Sequence, residues 1–356
     1  MLNAIKNRIT PCLLAIVAAC CTLSSCDMVK DESDCVASYN LVRFTYDYNM
    51  KFADAFTPEV KQVTLLAFNS KTGRLVKRID APQSELTPNN EMVLDVEPGS
   101  YDLLVWGGEH SKSFDIAAGK IGESTLKEFH AYLRRTIEGR TGHSRDDLAP
   151  LFHGMIHAEL PYASPSEPNY ITLPLKKDTN VVRVVLQQMS GNPVDIADFN
   201  MTITDGNGWL NHDNTLRSHE EVTYHPWHQF SGVVEVNSKP TDMPGNMVPA
   251  EMPSDNVLGA ALAEFTVSRL TTETDPILHV TRKDGSTVLK VNVRDYALLV
   301  MGMHNKAMGP QEYLDRQDEY NMTFFLDKDN EWVSTVIVIN DWRIVRVVTK
   351  SEAKRS

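Results

Sequence analysis

The strongest structural signal in the chain is the stretch Pro98-Gly99-Ser100-Tyr101-Asp102-Leu103-Leu104-Val105-Trp106-Gly107-Gly108. The pair Pro98-Gly99 is typical of a tight turn, and Gly107-Gly108 closes the run at its other end. The side chains between them are mostly aromatic or aliphatic, which favours a largely buried β-strand. A strand bounded by turn residues on both sides is typical of an all-β domain.

The same pattern of short strands and turns continues on both sides of this stretch. It repeats at 41–46, 60–68, 74–79, 92–96, 170–175, 181–186, 199–204, 263–270, 277–281, 287–293, 320–326, 335–339 and 344–349. Because no glycine-rich phosphate loop and no regular alternation of strands with helices interrupts it, we predict antiparallel β-sandwiches. The extended run from 170 to 186 is interrupted at 176–180, and there we place a boundary between two tandem domains, 38–178 and 179–356.

A single short helix is predicted inside the first domain. Ser124 could cap it, and Leu126, Phe129, Tyr132 and Leu133 would share one helical face. Polar or proline-rich residues predict loops at 139–150 and 161–168, and weak periodicity predicts long loops between 205 and 260.

The first 25 residues have the composition of a bacterial signal peptide. Lys6 and Arg8 precede the apolar run Leu13–Ala19, which is shorter than the about 20 helical residues that span a bilayer. The stretch Leu23-Ser24-Ser25-Cys26 resembles a lipobox, the cleavage signal of bacterial lipoproteins. The resemblance implies cleavage between Ser25 and Cys26, acyl and diacylglycerol groups on Cys26, and no other cofactor.

Charge and cysteine content argue against several kinds of partner and site. Beyond residue 25 the chain has 33 basic and 47 acidic residues, a formal charge of −14, which argues against nucleic acid as a partner. Only Cys26 and Cys35 remain there, so we expect neither a disulfide framework nor a cysteine zinc site. Residues 26–37 form an acidic tether, in which Lys30, Asp31 and Glu32 resemble the signal that exports lipoproteins to the outer face of the outer membrane.

Several motifs, taken in order, resemble a known family. They are Asp54-Ala55-Phe56 before Glu59-Val60, Ala67-Phe68-Asn69, Pro98–Tyr101 with Val105–Gly108, Leu151–Gly154, Phe265–Leu270, Tyr313–Arg316, Asp318–Asn321 and Ile339–Trp342. Together they resemble the FimB family of fimbrial anchor lipoproteins of Bacteroidales, which anchor type V pili. The resemblance implies two transthyretin-like domains, a lipid anchor in the cell outer membrane, a fimbrial stalk pilin as partner, control of pilus length, and neither catalysis nor a small-molecule substrate.

The resemblance also suggests which strand contacts the stalk. Stalk pilins of this type exchange strands after losing their own first strand, but a lipid-bearing anchor must keep its strand near Leu41–Tyr46. The C-terminal segment is therefore our candidate partner strand, and it carries apolar residues on both faces, as a strand inserted into a partner would. It comprises Arg343, Ile344, Val345, Arg346, Val347, Val348 and Thr349. A last core strand of the second domain is the alternative interpretation.

Other functions leave weaker signals in the sequence. His153 and His157 are four residues apart, but no third ligand accompanies them, so we predict no metal and no catalytic site. A surface glycan-binding lipoprotein remains an alternative, with Trp209 and Trp227 as a stacking platform. A stalk or tip pilin cleaved near Arg43 is a second alternative, and a β-sandwich hydrolase would need converging carboxylates in a cleft.

Overall fold

A computed structural model describes residues 38–218, 220–235, 257–304, 307–339 and 342–345. The lipobox, Cys26, the tether and Arg346–Thr349 lie outside these residues. The first half contains β1 (Tyr39–Thr45), β2 (Gln62–Asn69), β3 (Arg74–Pro82), β4 (Glu91–Asp95), β5 (Gly99–Gly107), β6 (Phe114–Ile116), β7 (Ala131–Leu133), β8 (Thr136–Glu138), β9 (Thr141–Ser144), β10 (Phe152–Leu160), β11 (Asn169–Pro174) and β12 (Lys176–Lys177).

The second half contains β13 (Thr179–Gln188), β14 (Phe199–Asp205), β15 (Trp209–Leu210), β16 (Val222–Tyr224), β17 (His228–Glu235), β18 (Val257–Ser268), β19 (Ile277–Arg282), β20 (Thr287–Asn292), β21 (Glu319–Leu326), β22 (Trp332–Ile339) and β23 (Trp342–Val345). Three α-helices lie among the described residues: α1 (Phe56–Glu59), α2 (Val293–His304) and α3 (Pro310–Arg316). Short 3-10 turns occupy Gln83–Glu85, His110–Lys112, Leu126–Glu128 and Ile196–Asp198.

The first half is a sandwich of two sheets. One sheet has the order β11-β1-β4 and the other the order β12-β10-β5-β2-β3. The strand of the opening stretch, β5, is therefore central. Its Leu103 and Val105 belong to the core between these two sheets, whereas Leu104 and Trp106 belong to a second core that extends into the other half of the chain. Burial on both faces explains why this run lacks the polar–apolar alternation of a half-exposed strand.

The second half has two six-stranded sheets, and the first half contributes strands to one of them. Their orders are β17-β18-β13-β21-β22-β23 and β20-β19-β14-β16-β9-β8. Residues 114–144, which we call the arm, leave the first half after β5. In the arm, β9 pairs in parallel with β16, and β7 pairs with β15. The predicted domain boundary between residues 178 and 179 stays a prediction. These two pairings join strands that lie on opposite sides of it.

Most strand pairs are antiparallel, as predicted, but three are parallel. They are β1 with β11, β9 with β16, and β13 with β21. In each parallel pair the two strands are far apart in the sequence, so no tight turn connects them.

The helix predicted near residues 124–133 is wrong. Thr125 and Glu128 form a capping box, but the turn that they cap ends at Phe129 and the chain continues as β7. Phe129, Ala131 and Leu133 are buried at alternate positions, which is the period of a strand and not of a helix. The longer helices, α2 and α3, lie instead in the second half, where none was predicted.

Two of the predicted loops also contain strands. The segment 139–150 includes β9, and the segment 205–260 includes β15, β16 and β17. These strands are short or lie at sheet edges, so they need little hydrophobic periodicity. Residues 236–256 lie outside the described part of the chain.

Candidate functional site

A buried ion pair joins sequence motifs that are far apart. Arg269 follows β18 and Asp315 lies in α3. The guanidinium group is bidentate, with Nε 2.9 Å from Asp315 Oδ1 and Nη2 3.0 Å from Oδ2. Gln311 Nε2 donates to Asp315 Oδ1 at 2.8 Å, and Lys176 Nζ lies 3.3 Å from Oδ2. Asp315 therefore links the end of the first half, at Lys176, to α3 and to Arg269 after β18.

A second carboxylate, Asp178, lies next to this pair and is fully buried. Asn214 Nδ2 donates to its Oδ1 at 2.9 Å, and Arg269 Nε is 3.8 Å from the same oxygen. Arg269 Nη1 also donates to the Asn214 carbonyl oxygen at 2.6 Å. Burial raises the pKa of Asp178 to about 7, although the charge of Arg269 opposes that shift. The group can therefore hold a proton near neutral pH.

Two further contacts tie the halves together beside this network. Lys177 Nζ bridges Glu59 Oε2 at 3.0 Å and Asp318 Oδ2 at 2.7 Å, so α1 of the first half is linked to the segment before β21. The Arg316 guanidinium lies 4.0 Å from the centre of the Tyr48 ring, a cation–π contact. Motif residues in and after α3 thus form one of the contacts between the second half and the first.

A cavity of about 790 Å³ opens over this network. Its lining includes His153, His157, Lys176, Asn214, Arg269 and Glu273. The cavity is lined by both positively and negatively charged side chains. Arg269, the more buried of the two lysine and arginine residues in the lining, is already paired with Asp315. Within the described ranges, no group of three or more His, Cys, Asp or Glu side chains is placed to hold a metal ion. None of the helices described is both long and apolar enough to cross a membrane.

A family model of fimbrillin-A associated anchor proteins, Mfa1 and Mfa2, matches residues 31–348. The chain belongs to this family of fimbrial anchor proteins. The resemblance found in the sequence motifs is thereby confirmed. The family is structural rather than catalytic and is associated with fimbriae at the cell surface.

Solved structures share the fold. A candidate adhesin from Bacteroides thetaiotaomicron VPI-5482 is similar at 30% identity and a TM-score of 0.71, over 87% of this chain and 98% of that one. A candidate polysaccharide-binding protein from the same organism is similar at 27% identity and a TM-score of 0.70, over 88% and 99%. The fimbrial anchor protein Mfa2 from Porphyromonas gingivalis shares the fold at 20% identity and a TM-score of 0.61, over 87% and 99%. The all-β fold class is confirmed, whereas no curated protein sequence matches the chain.

Several anchor-family motif residues serve the packing. Trp106 is fully buried, and its Nε1 donates to the Phe129 carbonyl oxygen at 3.0 Å. Gly108 has a φ of +84°, and a Cβ there would overlap the Pro150 carbonyl oxygen. A Cβ on Gly154 would overlap Leu173. These glycines therefore permit the close approach of neighbouring segments.

The two histidines of strand β10, His153 and His157, have different hydrogen-bond partners and different exposure. His153 is buried and its Nε2 donates to the His212 carbonyl oxygen at 2.8 Å. Burial lowers the pKa of His153 to about 4, so the ring is neutral. His157 is more than half exposed, and its hydrogen bond with Asp102 raises the pKa of the imidazole.

The structure brings together one Ser-His-Asp arrangement that the sequence did not reveal. His157 Nδ1 is 2.8 Å from Asp102 Oδ1, and His157 Nε2 is 3.1 Å from Ser100 Oγ. This order of groups is that of a serine hydrolase. Hydrolases of that type also place the nucleophile beside preorganised oxyanion donors in a water-excluded site. Here the imidazole is exposed on the face of a sheet, so the arrangement is a surface hydrogen-bond network.

The two tryptophans of the predicted glycan platform have different surroundings. Trp209 lies between the His130 ring, at 3.9 Å, and the Arg217 guanidinium, at 4.2 Å from its ring centre. Both faces of this ring are thus covered by the protein itself. Trp227, before the edge strand β17, is 39% exposed, and Phe230 within that strand is 46% exposed. Only the second of the two predicted tryptophans therefore offers an open surface.

The predicted cleavage position near Arg43 and the described part of the candidate partner strand both lie in β-strands. Arg43 is in the middle of β1, with an exposed side chain between the buried Val42 and Phe44. Arg343, Ile344 and Val345 lie in β23, which pairs with β22 at the edge of the six-stranded sheet. The described part of the candidate partner strand therefore occupies a sheet edge, which leaves its role as a contact for the stalk a prediction.

Proposed function

We propose that this protein is the lipid-anchored base subunit of a type V pilus. In this proposal Cys26 carries the lipid, the protein is held at the outer face of the outer membrane, and it binds the stalk pilin, limits stalk length and catalyses no reaction. The observation that carries the proposal is the match to fimbrial anchor proteins over residues 31–348, which begins five residues after Cys26 of the lipobox-like stretch. The exposed edge strands of the β-rich fold support binding to another fibrous subunit.

Lipid attachment would account for membrane association without a spanning helix. Each acyl CH₂ buried in a bilayer contributes about 0.8 kcal/mol, and stable anchoring takes more than one lipid chain. A cysteine that carries both acyl and diacylglycerol groups meets this requirement. The acidic tether, 26–37, would then separate β1 from the membrane surface, with Lys30-Asp31-Glu32 as the export signal.

Replacing the lipid-bearing cysteine should release the protein from the membrane. We expect Cys26→Ala to lose incorporation of labelled palmitate and to move from the outer-membrane fraction to the soluble fraction, because the variant lacks the acyl chains that would hold it in the bilayer. Cys35→Ala is the matched control and should behave like the wild type. Labelled, membrane-bound Cys26→Ala protein would refute this assignment.

The anchor proposal requires the mature chain to keep β1, which a processed stalk pilin would lose. The strand lies between β4 and β11, in antiparallel register with the first and in parallel register with the second. A protein cleaved near Arg43 would lose most of this strand together with the lipid on Cys26. The anchor proposal keeps both on one chain.

The C-terminal segment is the part that we propose for contact with the stalk. Removal of residues 346–356 leaves β23 in place and should abolish binding of the purified stalk pilin, because Arg346–Thr349, more than half of the candidate partner strand, would be lost. The unfolding temperature should stay that of the full chain. Surface plasmon resonance and thermal unfolding on the same preparations test both expectations. Undiminished binding by the truncated protein would exclude the segment as the donor.

A further inference from the structure

The arm is attached to the second half at its base by the pairing of β7 with β15 and at two further places. After β7, Arg135 Nη2 is 2.5 Å from Glu220 Oε2, and the Arg135 side chain passes so close to Gly142 and Gly208 that a Cβ on either would overlap it. Near its tip, β9 pairs in parallel with β16 over three residues, from Val222–Gly142 to Tyr224–Ser144. Three residue pairs make a short ladder, so side-chain contacts contribute a large share of the attachment there.

One of these side-chain contacts is a hydrogen bond between two imidazoles. His143, in β9, and His225, directly after β16, lie with Nδ1 and Nε2 2.9 Å apart and with nearly parallel rings. His225 N also donates to the Ser144 carbonyl oxygen at 2.8 Å, which fixes the two backbones. The imidazole pair therefore crosses the interface between the arm and the second half.

Such a hydrogen bond persists when one of the two neutral rings gains a proton, but not when both rings do. In a neutral imidazole one ring nitrogen donates and the other accepts, whereas in a protonated imidazole both nitrogens donate. One protonated ring can still donate to its neutral neighbour. When both are protonated, two donors and two positive charges face each other at hydrogen-bonding distance, and the bond is lost.

The surrounding charges come from one side chain of the arm and from the residue that follows it. Glu138 in β8 has Oε2 3.9 Å from His143 Nε2, and Arg145 after β9 pairs with Glu138 at 2.7 Å. Burial, followed by the charges of Arg145 and His143, lowers the pKa of His225, while Glu138 opposes that effect. The neighbouring threonines on β14 and β16, Thr204 and Thr223, bond to each other and carry no charge.

We propose that the His143–His225 pair is an acid-sensitive link that holds the arm on the second-half sheet at neutral pH and releases it when both rings are protonated. The link goes beyond the proposed anchoring function and does not depend on it. The sign follows from proton linkage: the unfolded imidazole binds a proton near pH 6.5, and the folded His225 binds it only at lower pH. The stabilisation is therefore complete above the unfolded value and is lost as the pH falls below it.

Amide hydrogen exchange of the intact chain tests the link. We expect the protection of 136–144 and 222–225, corrected for intrinsic exchange, to stay constant between about pH 7.5 and about pH 6.5 and to fall by up to roughly tenfold for each pH unit below that. The double variant His143→Asn, His225→Asn can keep a side-chain hydrogen bond but cannot titrate, so its protection should not change with pH. The base of the arm, β7 with β15, should stay protected in both proteins.

A matched control uses a histidine outside the interface. His279 bonds through Nε2 to Thr287 Oγ1 at 2.9 Å, and His279→Asn should show the same acid response as the wild type. If the double variant fails to fold, the single variant His225→Asn serves in its place. Unchanged protection of the wild type in acid would overturn the proposal, and so would an acid response that persists in the variant without titrating rings.

Discussion

A chain that begins at Asp47 should lose most of its stability relative to a chain that begins at Ser38. The shorter chain lacks β1, the middle strand of its sheet, and with it the buried side chains Val42, Phe44 and Tyr46. Each such side chain contributes about 1.5–3 kcal/mol on burial, so their sum approaches the whole stability of a typical domain. Urea unfolding followed by circular dichroism measures the difference.

The chain that begins at Ser38 is itself the matched control, because it differs from the full mature chain only by the tether. It should unfold at the same urea concentration as that chain. A synthetic peptide of residues 38–46 should restore the shortened chain by adding the missing strand, whereas the same peptide with Val42→Asp and Phe44→Asp should not. Equal stability of the Ser38 and Asp47 chains would show that β1 is dispensable, as expected for a stalk pilin that exchanges it.

The second large effect concerns the buried ion pair. Arg269→Met should lower the free energy of unfolding by about 3–5 kcal/mol, because it leaves the Asp315 carboxylate buried without its bidentate partner. The double variant Arg269→Met, Asp315→Leu removes both charges and should recover more than half of the loss. Chemical denaturation at neutral pH measures all three proteins.

Arg183→Met is the matched control for this experiment. Arg183 Nε is 2.6 Å from Glu264 Oε1, but its side chain is one-third exposed, so the loss should be within about 1 kcal/mol. An Arg269→Met loss no larger than that of Arg183→Met would contradict the assignment of a structural role to the buried pair.

Acid should lessen the Arg269→Met defect through Asp178. The pKa of Asp178 is about 7 in the folded chain and 3.8 in the reference state, so the folded protein binds the proton more tightly. Its contribution to stability is therefore largest near pH 4 and is lost as the pH rises to about 7. Without Arg269 the ionised carboxylate is still less favourable, and the difference between variant and wild type should narrow in acid.

The all-β fold class could be predicted because most core strands carry a strong local signal. The stretch around β5 has turn residues at both ends and apolar side chains between them. The arm could not be predicted, because β7, β8 and β9 have three or four residues each, too few to show a period of two. Their positions depend on partners about 80 residues away in the sequence, such as Gly142 opposite Val222.

The positions of the helices were also difficult to predict from the sequence. At 124–133, residues that share a helical face are also compatible with a turn followed by a strand, and the tertiary contacts of Phe129 and Leu133 select the latter. Helix α2 begins directly after β20, where Asn292 Oδ1 accepts from Asp295 N at 3.2 Å. No proline or glycine separates the two elements, so the cap residue Asn292 is the local marker of the change of period.

The buried network was only partly accessible from the sequence. The motifs that contain Arg269 and Asp315 were recognised by family resemblance, but their pairing was not, because 46 positions separate them. Asp178 gave no signal, since an isolated aspartate between two strands is usually exposed. Its burial follows from the contact between halves, which only the three-dimensional arrangement reveals.

The parallel pairing of β1 with β11 determines how the molecule would bear mechanical load. Tension on a membrane-tethered amino terminus would draw β1 toward its start, while tension from the remainder of the chain would draw β11 toward its end. Six residue pairs, from Asn40–Asn169 to Thr45–Pro174, would then resist sliding at the same time instead of parting one after another. If the protein anchors a fimbria as we propose, drag on that fimbria by flowing liquid would load these six pairs in shear.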